Sequence, residues 1–352
     1  MLNDRLVRWF SRTTKESGGN LATGMPVFLA SDIGLVREEN QDRVALMRVN
    51  SFTRPFVVLA LVDGMGGMRN GSECAVLTMS AFLNAIIRYR QLVPRDRLEA
   101  AANAANDTVY EYSKGRGGAT LSALLVSTDQ TAVTLNVGDS RVYATVDDNS
   151  KSRVARLTVD DSLEEAVGGQ GKELLQFIGM GEGLKAHIKD VPNDAKRLLI
   201  TSDGIHFVRQ ESLSDVLLST ISLQELAANL ITLSKWGGAP DNASLAVTLL
   251  PELIQSLSAS EETGIEIWDP FSTLHIMWLK QDQVAFPPPE DAWKKAEQIK
   301  TAEEKKSQPE KEKPGEKPRK SRSKKKESPK EKAPQLTFEI NSKGNQGGDS
   351  GK

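Results

Sequence analysis

Apolar runs alternate with turn signals from about residue 25 to residue 250, and the runs carry two different periods. Val27-Phe28-Leu29-Ala30 and the stretch from Phe56 to Val62 are short, continuous and rich in valine, which predicts buried strands. The second run stops at Asp63, so a carboxylate emerges at a strand terminus. Thr120 to Val126 and Ala132 to Val137 predict a strand pair across the turn Ser127-Thr128-Asp129-Gln130, with Arg141 to Val146 continuing as a third strand. Arg197 to Thr201 predicts another strand leading to Asp203, and Ala243 to Leu250 closes the region. Helical spacing governs Ser72 to Arg90, where Val76, Met79, Phe82, Leu83, Ile86 and Ile87 share a face. It returns more weakly from Arg97 to Tyr112 through Leu98, Ala101, Ala105 and Val109. Strands outnumber helices and tight turns join many of them, so antiparallel pairing is expected, in a sandwich of sheets with helices outside.

The pattern changes beyond Leu250. Ile265 to Lys280 holds Ile267, Trp268, Phe271, Leu274, Ile276, Met277 and Trp278, too apolar to float free, and is read as packed on the main domain. Pro287-Pro288-Pro289 marks a break, after which Lys, Glu, Pro and Ser dominate and too little apolar surface remains to offset the entropy of ordering. The expected organisation is an N-terminal extension (1–21), a main domain (22–250), a packed C-terminal extension (251–286) and a disordered charged tail (287–352) with a short apolar island at 335–340, a candidate docking motif.

Charge sharpens this division. Residues 302–334 carry 13 Lys and Arg against 7 acidic residues, a local +6 in a chain of net −2, leaving an acidic body. The tail is read as a solvated tether rather than a nucleic-acid arm, because Glu is interspersed and no aromatic residues interleave. The one cysteine, Cys74, lies in a helical apolar pattern and is read as a core residue. No disulfide framework, signal peptide or membrane span is evident, which points to a cytoplasmic protein.

Five short strings place carboxylates beyond apolar or Gly-bounded segments. They are Ser31-Asp32-Ile33-Gly34 running to Arg37-Glu38-Glu39-Asn40-Gln41-Asp42, then Asp63-Gly64-Met65-Gly66-Gly67, Gly138-Asp139-Ser140-Arg141, Ser202-Asp203-Gly204 and Pro240-Asp241-Asn242. Singly, each has a plain explanation as a turn or a solvated charge. Together they suggest a pocket of oxygen ligands for hard divalent cations, and the arginine travelling with them suggests a phosphorylated substrate.

The ordered set resembles the bacterial-like form of the type 2C metal-dependent protein serine/threonine phosphatases, over roughly Phe28 to Leu250. The resemblance implies an α+β fold, a four-layer α/β/β/α sandwich of two antiparallel β-sheets flanked by helices, here followed by the disordered C-terminal tail. It implies that residues 22–250 form a catalytic domain hydrolysing phosphoserine and phosphothreonine with two Mn²⁺ or Mg²⁺ ions and a metal-activated water. In that scheme Asp63 bridges the ions and the Gly64 carbonyl adds a ligand. Asp203 and Asp241 bind one ion, Asp42 holds metal-bound water or a metal, and Arg37 grips the substrate phosphate. Glycines 64, 66 and 67 would let the backbone approach the ions. The implied partners are a phosphorylated protein substrate and an opposing Ser/Thr kinase, in a signalling role.

The sequence departs from the family pattern at defined places. Met65 stands where some members carry a histidine proposed as general acid, and Gln41 where glutamate is frequent. Phe207 occupies a position that is commonly aspartate and helps hold a third ion, so Asp139 is retained without that helper as the candidate third-metal ligand. Asp161 replaces the histidine of an Asp-His-Ser string, and the segment after it, to Asp190, is short and Gly-rich, suggesting a reduced substrate flap. These departures keep a second hypothesis open, a non-catalytic phosphatase-fold binding or regulatory module.

Overall fold

The computed structural model describes residues 2–51, 54–65, 70–148, 151–168, 173–219, 221–257 and 263–277. In chain order come α1 (Leu2–Phe10), β1 (Ser17–Leu21), β2 (Val27–Asp32), β3 (Asp42–Asn50), β4 (Phe56–Asp63), α2 (Gly71–Arg88) and α3 (Pro94–Ser113). Next are β5 (Leu121–Ser127), β6 (Ala132–Val137), β7 (Arg141–Asp148), β8 (Lys151–Arg156), α4 (Leu163–Val167), β9 (His187–Asp190) and β10 (Ala195–Thr201). The described chain ends with α5 (Asp203–His206), α6 (Gln210–Leu218), α7 (Leu223–Trp236), β11 (Ala243–Leu249), α8 (Leu250–Ser256), β12 (Gly264–Asp269) and β13 (Ser272–Met277).

Two antiparallel sheets result. One has six strands in the order β1-β2-β11-β10-β7-β8, the other seven in the order β13-β12-β3-β4-β5-β6-β9. Period-two alternation sorts the side chains of β4 between layers. Val57, Leu59 and Leu61 join the core between the sheets, whereas Phe56, Val58, Ala60 and Val62 join the core shared with α1, α2 and α3. On the far side, Leu199, Leu245 and Val247 pack with Leu213, Leu217, Leu226 and Leu230 of α6 and α7. The expected four-layer α/β/β/α sandwich is therefore the fold. Cys74 is buried in the α2 layer, where desolvation pushes its thiol up to about 11.

The structure corrects one expectation and adds several elements. Arg141 begins β7, which pairs with β10 and β8 in the six-stranded sheet and does not continue the β5–β6 ladder. Between Val137 and Arg141 the chain crosses the sandwich through Gly138, whose φ of 95° is open to glycine at low steric cost. The N-terminal segment, expected only as an extension, forms α1, which buries Leu2, Leu6 and Phe10 at four-residue spacing against the α2 layer. The apolar segment after residue 263 forms the β12–β13 hairpin, which adds to β3 from Gly264↔Asn50 to Trp268↔Leu46. Trp278 to Lys280, the basic tail and the 335–340 island lie outside the described residues. Among the described residues no helix is long and apolar enough to cross a membrane.

Candidate active site

The strand registers gather six chain segments at one end of the sandwich. Asp32, the last residue of β2, pairs with Ala243, the first of β11. Thr201, ending β10, pairs with Arg141, beginning β7. In the other sheet Asp42, beginning β3, pairs with Asp63, ending β4, and Leu121 pairs with Val137. Direct cross-strand partners place Cβ atoms about 5 Å apart on one face, so Asp42 and Asp63 oppose each other as like charges. By strand parity that face is the one carrying Val44 and Leu61, between the sheets. Asp203 and Asp241 reach the same end from the other sheet, just after β10 and just before β11.

Hydrogen bonds tie the two sheets together there. Ser202 Oγ donates to Asp42 Oδ2 (2.8 Å), across the sandwich. Asn242 accepts from Gln41 N–H through Oδ1 (2.8 Å), and its Nδ2 donates to the carbonyls of Ile33 (2.9 Å) and Glu39 (3.0 Å). A single buried amide thus clamps both ends of the loop that carries Arg37. Asn40 continues the stitching, donating to Ser31 Oγ (2.8 Å) and accepting from Asp42 N–H (3.0 Å). Thr120 Oγ1 accepts from Asp63 N–H (3.1 Å) and lies 2.7 Å from Ser140 Oγ, linking β4 to the crossing before β7.

Two glycines allow the backbones to meet. Gly64 donates its N–H to the Gln41 carbonyl (3.2 Å), and a Cβ there would collide with the Gly71 carbonyl. A Cβ on Gly204 would run into the Asn242 carbonyl. Gly66 and Gly67 lie outside the described residues.

The electrostatics follow from this crowding. Asp42 is buried, and desolvation pushes its carboxyl up to about 6, aided by repulsion from Asp241 and opposed by hydrogen bonds from Ser244 and Ser202. Asp63 is driven well above the ordinary carboxylate range, first by burial and then by repulsion from Asp42, Asp203, Asp139 and Asp241. Arg37 Nη2 sits 2.6 Å from Asp241 Oδ2, and Asp203 and Asp63 further raise its guanidinium pKa. One arginine and five carboxylates from separate segments therefore share one field. Among the described residues, no three carboxylate or imidazole groups already stand close enough to chelate a single ion.

Other departures from the family pattern also have places. Asp161 Oδ2 accepts from Gly138 N–H (2.9 Å), and its Oδ1 accepts from Gln176 Nε2 (2.8 Å) beside His187 Nε2 (2.8 Å), so this residue braces the turn before Asp139. The Phe207 ring lies where a Cβ on Gly237 would meet it at 2.9 Å, and the side chain is partly exposed. Sequence reasoning gave no role to Ser202, Asn242, Asn40 or Thr120. Their signal was adjacency to a carboxylate, which by itself does not distinguish a clamp from a turn.

Comparison with known proteins agrees with this architecture. Serine/threonine protein phosphatase PstP of Mycobacterium tuberculosis (strain ATCC 25618 / H37Rv) is 28% identical over 242 residues, covering 62% of this chain and 43% of PstP. The chain thus spans under half the length of that relative. A bacterial serine phosphatase crystal structure matches with a TM-score of 0.54 at 21% identity, over 64% of this chain and 98% of that one. Stp1 from Staphylococcus aureus gives 0.54 at 19% identity, over 68% and 98%. The PstP catalytic domain, solved in complex with two manganese ions, gives 0.51 at 24% identity, over 66% and 98%. At these identities the structural likeness speaks to the fold. Family membership comes from the sequence itself: residues 36–230, more than half of the chain, match the model described as Protein phosphatase 2C, and the chain belongs to the protein phosphatase 2C family.

Proposed function

We propose that the chain is a protein serine/threonine phosphatase that hydrolyses phosphoserine and phosphothreonine with two Mn²⁺ or Mg²⁺ ions. The observation carrying this reading is the shared field at one sandwich end, where Asp63 feels Asp42, Asp203, Asp139 and Asp241 together and Arg37 faces the same cluster. A buried group of like charges raises its own free energy unless cations join it.

The donor set fits hard cations. Carboxylates and the Gly64 carbonyl offer only oxygen, and Asp42 Oδ1 is buried without a hydrogen-bond partner among the described residues. Mg²⁺ keeps several of its waters when bound, so a closed cage of side chains standing ready before the ion arrives is not required of this donor set. Asp63, the Gly64 carbonyl, Asp203 and Asp241 would hold the pair, with Asp42 beside them and Asp139 as a candidate for a third ion. When bound, the ions supply a water ionised near neutral pH and offset charge on the phosphoryl oxygens.

The remaining work falls to the chain. Ser202 holds Asp42 in one orientation through its 2.8 Å hydrogen bond. Arg37 exchanges partners: it leaves Asp241, freeing that carboxylate, and takes the substrate phosphate with its planar fork. Asn242 keeps the Arg37 loop seated during that exchange. No cysteine nucleophile enters, since Cys74 is buried in the α2 layer. The manganese-bound PstP catalytic domain supports the choice of metal. The implied physiological partners are phosphoproteins and the kinase that phosphorylates them, in a cytoplasmic signalling setting. The domain scheme follows, with catalysis in residues 22–250.

The test is hydrolysis of a phosphothreonine peptide by the full chain with Mn²⁺, alongside Asp63→Asn and Asp203→Asn. Metal-dependent turnover lost in both variants is expected. Turnover absent in the wild type, with calorimetry showing no Mn²⁺ binding, would leave a binding module as the reading.

A further inference from the structure

Four large apolar side chains stand exposed around one short segment beside Arg37. They are Leu35 (65% exposed), Val36 (67%), Phe207 (41%) and Trp236 (82%). Single exposed apolar residues are ordinary on a soluble protein. These four are organised by the chain itself. The segment from Trp236 to Asp241 leaves α7 and reaches the site, and three elements dock on it in order. The Phe207 ring lies against Gly237, Leu35 N–H donates to the Ala239 carbonyl (3.1 Å), and Arg37 pairs with Asp241. The apolar groups and the phosphate-gripping arginine therefore share one backbone support. A Cβ on Gly34 would strike the Asp241 carbonyl and lie 3.1 Å from that of Ala239, so the loop is seated directly on this segment. Lys235, next to Trp236, is tied to Asp32 at the end of β2 by an ion pair of 2.7 Å, which fixes the α7 end of the same support.

Reach decides what the rim can touch. Gly237 to Asp241 spans at most about 14 Å of extended chain, the length of four substrate residues. A peptide whose phosphate is held by Arg37 must pass its neighbouring side chains over this region or away from it. Leu35 and Val36 immediately precede Arg37, so they sit on the same loop that presents the phosphate-binding group.

We propose that Leu35, Val36, Phe207 and Trp236 form a specificity rim that selects phosphopeptides carrying an apolar side chain within about four residues of the phosphorylated one. The inference rests on the reading of the chain as a phosphoprotein phosphatase and names its substrate class. Burying one such side chain is worth roughly tenfold in discrimination, with more when two are engaged.

The experiment compares three substrates on the full chain with Mn²⁺: a phosphothreonine peptide with Leu and Phe within four residues on both sides, the same peptide with Ser at those places, and p-nitrophenyl phosphate. The variant is Leu35→Ser/Trp236→Ser, whose truncated side chains are both exposed. The wild type is expected to favour the apolar peptide about tenfold or more in kcat/KM. The double variant should bring the two peptides within twofold of each other and leave p-nitrophenyl phosphate hydrolysis unchanged. Equal use of both peptides by the wild type, or an undiminished preference in the variant, overturns the rim. So does a change of sedimenting mass in the variant without a change of preference, which assigns the face to a second copy. Loss of the preference on deleting residues 302–352 also overturns it, assigning the preference to the tail. If p-nitrophenyl phosphate and both peptides are inert, the phosphatase reading fails, and anisotropy of the two labelled peptides judges the rim separately. Tighter binding of the apolar peptide, abolished in the variant, supports it, and equal affinities overturn it.

Discussion

Replacing Asn242 by alanine separates the scaffold of the site from its chemistry. Asn242 touches neither a phosphate nor a metal in the proposed scheme, yet three of its hydrogen bonds hold the loop that presents Arg37. Two of the partners, Gln41 N–H and the Ile33 carbonyl, belong to half-buried residues, whereas Glu39 is exposed and water can replace its bond. At about 1 kcal/mol net for each of the two shielded bonds, the variant should lose about 2 kcal/mol. In a domain of this size each kcal/mol shifts Tm by roughly 2–4 °C, so a fall of about 4–8 °C is expected. Activity should suffer more than stability. Arg37 rides on a loop freed at both ends, and a 1 Å misplacement can cost about a hundredfold. With p-nitrophenyl phosphate at saturating Mn²⁺ and well below Tm, kcat/KM should fall ten- to a hundredfold while circular dichroism stays native. A lowered Tm with kcat/KM within twofold of wild type would refute the clamp as the source of Arg37's position. An unchanged Tm would refute the hydrogen-bond energetics.

Gly204→Ala should act on the other side of the site: its new Cβ meets the Asn242 carbonyl, pushing the strand that follows Asp241 away from Asp203, and Mn²⁺ affinity measured by calorimetry should drop at least tenfold. In chelator, stability should decline as pH rises through about 6, because Asp42 in the folded chain holds a proton there that the unfolded chain, titrating near 3.8, has already lost. Excess Mn²⁺ should remove that decline, and urea midpoints that are flat with pH in chelator would contradict the crowding of these carboxylates. His206 works in the opposite sense. Burial first, then Arg141 and Arg156, hold its imidazole pKa well below 6.5, so stability is lost as pH falls below 6.5, where the unfolded chain takes up the proton first. His206→Gln should flatten this acid limb in urea melts at fixed Mn²⁺, and an unaltered limb would show that other groups set it.

How much of this was legible in the sequence depended on whether the signal was local. The run from Phe56 to Val62 reads as a strand because its valines and leucines satisfy both faces of a buried sheet, and β4 has those bounds plus Asp63. The helix at Ser72 to Arg90 was legible for the same kind of reason, an apolar stripe at helical period. α7 also carries a local signal, the Ser222 and Glu225 capping box ahead of Leu223, Leu226 and Leu230, though a weaker one than the strand patterns. α1 was harder, because the three buried residues that define its face gain their meaning only from α2 beneath them. β7 is legible as a strand but its sheet is not, because sheet membership is not local: the three residues at Gly138 decide which layer receives the next strand, and nothing in the strand's own composition records that choice. The candidate site divides in the same way. Its carboxylates announce themselves because Asp after an apolar strand is an uncommon place for a charge. Asn242, Ser202 and Asn40 do not, since short polar residues near turns are ordinary. Their role exists only in the cross-sheet bonds that the registers create, where Ser202 from one sheet meets Asp42 from the other. The chemistry of such a site is thus written in its charges, and its geometry in neutral residues such as Ser202 and Asn242, whose partners lie 160 and 201 positions away in the chain.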